Sequence, residues 1–121
     1  MKKVLVMVIV AMATLSSAFA LDLHEYKVFY KLNNETTFRS LNRYLKLNDC
    51  QQKNLKSEFQ LTEERIRTAV NTENEVAAEK AMNSSLASLK EILTDEQYEK
   101  FVTVLNATIE YNREIKYLAA E

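Results

Sequence analysis

Glycine, proline and tryptophan are all missing from this chain of 121 residues, and cysteine and histidine occur once each. Without glycine there is no GxGxxG turn and no P-loop, so phosphate cradles of those kinds are excluded. Without proline there is no Pro-rich linker, and without either residue no collagen-like repeat. Tight hairpin turns lean on glycine, which disfavours an antiparallel sheet. What remains is a chain with little to interrupt helices, long enough for one domain. His24 and Cys50 stand alone. A Ser-His-Asp or Cys-His arrangement has only His24 to build on. A zinc site wants about four nitrogen, sulfur or oxygen ligands, and no Glu-x-x-His pair exists for a di-iron bundle. The expectation is therefore a protein that is not an enzyme, with no catalytic residue, no metal and no cofactor.

Residues 1–20 read as a cleaved secretory signal peptide of bacterial style. Lys2 and Lys3 form the positive start, Val4 to Leu15 the apolar stretch, and Ala18-Phe19-Ala20 the small-residue cleavage site. The apolar run is too short to span a bilayer, and no cysteine follows it to carry a lipid. The expected location is the periplasm, with no membrane span after cleavage. The sequons at Asn34, Asn83 and Asn106 are read as coincidence behind such a leader. Beyond it, 14 basic side chains face 17 acidic ones, a net of −3. No basic run marks a nucleic-acid surface. The cations do concentrate early: Lys27, Lys31, Arg39, Arg43, Lys46, Lys53 and Lys56 meet four carboxylates between residues 21 and 56. Cys50 forms no intramolecular disulfide. In an oxidising compartment it is either buried and inert or open to an intermolecular disulfide.

Period and caps organise the rest. Residues 21–34 are ambiguous: Tyr26, Val28, Tyr30 and Leu32 alternate like a strand, but Phe29 breaks the pattern. With nothing to pair against, this arm is expected to be helical or docked and irregular. Helices are predicted over about 35–47, 49–70, 75–93 and 95–118. Their stripes are Phe38, Leu41, Tyr44 and Leu45, then Leu55, Phe59, Thr62, Ile66 and Val70. Next come Ala78, Met82, Ser85, Leu86, Leu89 and Leu93, and last Tyr98, Phe101, Val102, Leu105, Ile109, Asn112 and Ile115. The polar run Asn71-Thr72-Glu73-Asn74 is weak punctuation, so the two middle helices are either separate or continuous. Thr72 and Glu75 have capping-box spacing.

Two helix starts look alike: Leu47-Asn48-Asp49-Cys50-Gln51 and Leu93-Thr94-Asp95-Glu96-Gln97, 46 residues apart. Aligned from there, 47–70 and 93–116 share six identities, a faint internal duplication. Asn48 and Thr94 are read as N-caps, with Gln51 and Gln97 reaching back from N3. Leu47 and Leu93 are the apolar residues before the caps, and the aspartates suit the helix dipole. The six motif residues Leu47, Asn48, Gln51, Leu93, Thr94 and Gln97 are thus mainly structural.

Two such segments opening long helices behind a leader resemble the LTxxQ motifs of the Spy/CpxP family of bacterial periplasmic chaperone and stress proteins. The second segment matches the motif in full, and the first has Asn48 in place of threonine. The resemblance covers about 47–118. It implies an all-α, elongated four-helix hairpin-type bundle over 35–121 that dimerises into a curved cradle. It also implies ATP-independent binding of unfolded or envelope proteins. Aromatics left over for such a surface are Tyr26, Phe29, Tyr30, Tyr111 and Tyr117, each of which also suits a core or a dimer interface. The alternative is a non-catalytic regulatory or adaptor protein that binds one envelope partner.

Overall fold

The computed structural model describes residues 21–120, with side chains as far as Ile115. The expected leader over 1–20 and the side chain of Tyr117 lie outside the described residues. A 3-10 turn, Leu23–Lys27, runs into a short helix α1, Val28–Leu32. There follow α2 (Glu35–Leu45), α3 (Asp49–Asn71), α4 (Glu75–Ile92) and α5 (Asp95–Ala120). The described chain is all helix and turn, as a sequence without glycine or proline predicts, and no helix in it is long and apolar enough to cross a membrane.

Local chemistry sets each start. Asn34 Oδ1 accepts the Thr36 N–H at 3.1 Å, and Asn48 Oδ1 accepts that of Gln51 at 2.8 Å. Asn74 Oδ1 accepts the Ala77 N–H at 3.0 Å, and Thr94 Oγ1 accepts that of Gln97 at 3.2 Å. Such caps satisfy donors that a helix start leaves open. Asn74 therefore caps α4 where the Thr72–Glu75 spacing had suggested Thr72. That threonine instead ends α3, its hydroxyl donating to the Thr68 carbonyl at 2.9 Å. Helices α3 and α4 are separate, not continuous.

Two helix ends are closed as Schellman motifs without glycine. Lys46 (φ 56°) and Glu73 (φ 52°) both take the left-handed conformation. After α2, the Leu47 N–H donates to Asn42 O and the Lys46 N–H to Arg43 O. After α3, the Asn74 N–H donates to Ala69 O and the Glu73 N–H to Val70 O. This is the paired 6→1 and 5→2 pattern that glycine normally makes cheap.

Most of the expected stripes form the core, but Ile115, expected on the α5 stripe, is exposed near the helix end, and Val70, Val102 and Asn112 are only partly buried. Leu55, Phe59, Thr62 and Ile66 of α3 face Ala78, Met82, Ser85, Leu86 and Leu89 of α4, and Tyr98, Phe101, Leu105 and Ile109 of α5 close the other side. Ala69, Ala78 and Ala81 are small and buried, which lets α3 and α4 pack closely. Phe59 sits at the centre. It meets Phe29 of α1 and Phe38 of α2 edge-on, with ring centroids 6.2 and 5.8 Å away, and Phe101 of α5 at 5.9 Å.

The ambiguous arm belongs to this core. Leu23, Tyr26, Val28, Phe29 and Leu32 are buried. Leu23, Tyr26, Phe29 and Leu32 recur every third residue, a helical face hidden within a strand-like alternation. Polar contacts then hold the arm to α5. Arg113 Nη2 donates to Glu25 Oε1 at 3.0 Å, and its Nε to the other carboxylate oxygen. Lys31 Nζ donates to Asn112 Oδ1 at 3.4 Å. Tyr44, placed on the apolar face of α2 by spacing alone, is 51% exposed, because it lies beyond the stripe of Leu41 and Leu45.

Substitutions at two positions test this account in the chain 21–121, which contains the whole described core. The Ser85 hydroxyl is fully buried and without a hydrogen-bond partner. Ser85→Ala removes an unsatisfied polar group from mid-helix and is expected to raise stability by about 1–2 kcal/mol, read as a higher denaturation midpoint. A lower midpoint refutes the orphaned-hydroxyl reading. Glu73→Gly relieves a left-handed residue and is expected to add up to about 1 kcal/mol, while Glu73→Val is expected to lose stability. Equal effects of the two would show that charge, not backbone, matters there.

Candidate functional site

The two repeated segments meet at one end of the molecule. Helices α3 and α5 both begin there, and α2 and α4 both end there. Gln51 and Gln97 first serve their own caps: Gln51 Oε1 accepts the Asn48 N–H at 3.1 Å, and Gln97 Oε1 accepts the Thr94 N–H at 3.0 Å. Their amide groups then cross. Gln51 Nε2 donates to Gln97 Oε1 at 2.8 Å and to the Ile92 carbonyl at 3.2 Å. Gln97 Nε2 donates to the Leu45 carbonyl at 3.1 Å. Leu45 and Ile92 are the last residues of α2 and α4, whose carbonyls have no partner within the helix. Each glutamine thus fastens the helix that precedes the other's motif.

Glutamine suits this place because one amide offers two donors and an acceptor from a single head group. Glutamate would bring two acceptors and a charge, and would lose the bonds to Ile92 O and Leu45 O. Leu47 and Leu93 are buried beneath the caps. The six motif residues form one neutral joint, and what it does chemically is hold four helix ends together.

The other sequence-selected residues lie elsewhere. Tyr26 and Phe29, candidates for a binding surface, are buried in the core, where Phe29 packs on Phe59. That burial removes both from the surface. The Tyr26 hydroxyl is held above its ordinary value by burial, with Glu79, Glu75 and Glu25 adding to it. Tyr30 is half-buried with the Arg67 guanidinium 5.3 Å from its ring centre, and Tyr111 is 55% exposed with Lys31 Nζ at 5.1 Å. Cys50 is exposed, so the buried reading of this thiol does not hold; Asn54 Nδ2 donates to its Sγ at 3.7 Å. Among the described residues, no group of three or more His, Cys, Asp or Glu is arranged to hold a metal ion.

Pattern reading overlooked Leu61 and Val76 as surface residues and placed Tyr44 and Ile115 on apolar stripes. Tyr44, Leu61, Val76 and Ile115 join Tyr111 as large apolar side chains left exposed. Leu61 could have been found, since it falls between Phe59 and Thr62 of its helix's stripe and so points away from the core, whereas Val76 precedes the first position of its stripe, Ala78. Tyr98 goes the other way: burial pushes its hydroxyl up to about 12. No family model, no curated protein and no solved structure matches this chain.

The crossed amides predict coupling. Gln51→Ala and Gln97→Ala are each expected to cost about 1–2 kcal/mol. Because they share a hydrogen bond, the double variant is expected to depart from additivity by about 0.5 kcal/mol or more. Strict additivity in a denaturant-unfolding cycle would separate the two motifs energetically.

Proposed function

We propose that the chain is an exported, ATP-independent chaperone or envelope-stress protein of the Spy/CpxP type, holding non-native polypeptides on a helical surface. The observation that carries this reading is the set of large apolar side chains left exposed among charged ones: Tyr44, Leu61, Val76, Tyr111 and Ile115. Burying apolar surface is non-directional, so it serves clients with no common sequence and needs no nucleotide. Cations stand over two of these rings, Lys31 over Tyr111 and Lys100 over Tyr44. Charge beside apolar surface limits self-association while leaving the rings open to a client.

The two motifs support the family reading, since both act as capping boxes and bond to each other. A homodimer with a cradle-shaped surface is part of the same proposal. The localisation proposed is the periplasm, after removal of residues 1–20.

The test is an aggregation assay with the chain 21–121 and two unrelated, chemically unfolded clients, without nucleotide, with and without reductant. Suppression of both clients near equimolar ratio is expected, weakened by the double change Leu61→Ser with Tyr111→Ser. A loss of suppression in reductant would place a Cys50-linked dimer in the active form. If neither client is protected, the chaperone reading fails in favour of an adaptor with a dedicated envelope partner.

A further inference from the structure

We propose that the outward face of α2 docks on an anionic phospholipid surface, with its cations on the headgroup phosphates. Helix α2 turns Leu41, Asn42 and Leu45 into the molecule and Arg39, Ser40 and Arg43 outward. Lys46 follows as the exposed left-handed residue that ends the helix. Arg39 and Arg43, four residues apart, share one face of the helix, and Lys46 adds a third exposed cation just past its end. The segment 35–46 carries three cations and one carboxylate, in a chain whose formal net charge is −1. The positive charge is thus local, and it opposes the sign of the whole molecule.

A flank adds to these cations. Tyr44 is half-exposed, with Lys100 Nζ of α5 at 5.8 Å from its ring centre. Lys56 Nζ of α3, 4.9 Å from the Phe38 ring centre, is part-buried and donates to Asn33 O and Oδ1, so it stands apart from the exposed cations. Two carboxylates sit in the patch, Glu35 with Arg39 at 2.9 Å and Glu96 with Lys100 at 3.5 Å. Both belong to exposed i,i+4 pairs, which are weak and exchange readily for a stronger anion. Arg43 and Lys46 have no ion-pair partner among the described residues.

Charge complementarity selects the occupant. Guanidinium groups bind phosphate oxygens through paired N–H donors, and a lysine adds a point charge. A tyrosine at the rim suits the boundary between headgroups and water. The patch lies on the convex surface of one helix, which meets a flat array of phosphates without the cleft that wraps a peptide. The setting rests on the export reading, since an exported protein faces a phospholipid leaflet. The binding itself does not rest on client protection, so either can fail alone.

Co-sedimentation of the chain 21–121 with vesicles tests this. Vesicles of phosphatidylglycerol with phosphatidylcholine are compared with phosphatidylcholine alone, at low and high salt. Retention by the phosphatidylglycerol vesicles only, falling as salt rises, is expected. The double change Arg43→Gln with Lys46→Gln is expected to weaken partitioning by roughly tenfold or more. Both positions are exposed, so the melting temperature should hold, and Lys80→Gln on α4 is the matched control. Equal retention by both vesicle types, or no loss in the double variant, overturns the proposal. So does capture by poly-glutamate without capture by vesicles, which would assign the face to acidic polypeptide.

Discussion

Phe59 is where the helices meet. Its ring touches an aromatic from α1, from α2 and from α5, so one residue of α3 sees three other helices. Aromatic pairs prefer edge-on or tilted contacts and bury much surface per residue. A small all-helical domain has a limited core, so a hub of this kind carries a large share of it. It also explains why the arm over 21–34 folds. Phe29 supplies one of the rings against Phe59, and the helical turn that brings it there also buries Leu32 and Tyr26.

Absence of glycine imposes a second constraint, met in two ways. Helix starts use asparagine and threonine caps. Two helix ends use Lys46 and Glu73 in a conformation that glycine takes at least cost. The remaining cost of ending helices is offset at the joint, where Gln51 and Gln97 take up the Ile92 and Leu45 carbonyls. Capping boxes are usually local devices. Here the same amides that complete the caps also reach across, so helix termination and tertiary structure depend on the same two side chains.

Much of this was legible in the sequence. The caps at Asn48 and Thr94 and the stripes of α3, α4 and α5 follow from spacing alone, because those helices are long and amphipathic. Other features were not legible. The arm alternates like a strand, and only the position of Phe59 decides that Phe29 must point inward. Asn74 and Thr72 are both good caps, and the left-handed turn at Glu73 selects between them. Tyr44 is apolar enough for the stripe, yet helix geometry puts it a step past Leu41 and Leu45. The crossing of Gln51 and Gln97 was beyond reach for another reason: a five-residue motif carries its cap but not its partner 46 residues away.

The same geometry separates charge along the molecule. At the joint end, α2 turns Arg39, Arg43 and Lys46 to solvent. At the far end, a groove between the start of the arm and the α3–α4 turn is lined by Asp22, Glu73 and Glu75 beside His24, Val70 and Val76. Burial first, then Glu79, Glu75 and Glu25, raises the Tyr26 hydroxyl above its ordinary value. A chain near neutrality can therefore present a cationic face and an acidic end at once. Net charge alone would have argued against any anionic partner, because it averages over that separation. The separation depends on the rigid joint. The bond from Gln97 to the Leu45 carbonyl holds the end of α2 against the start of α5, where Lys100 stands over the Tyr44 ring.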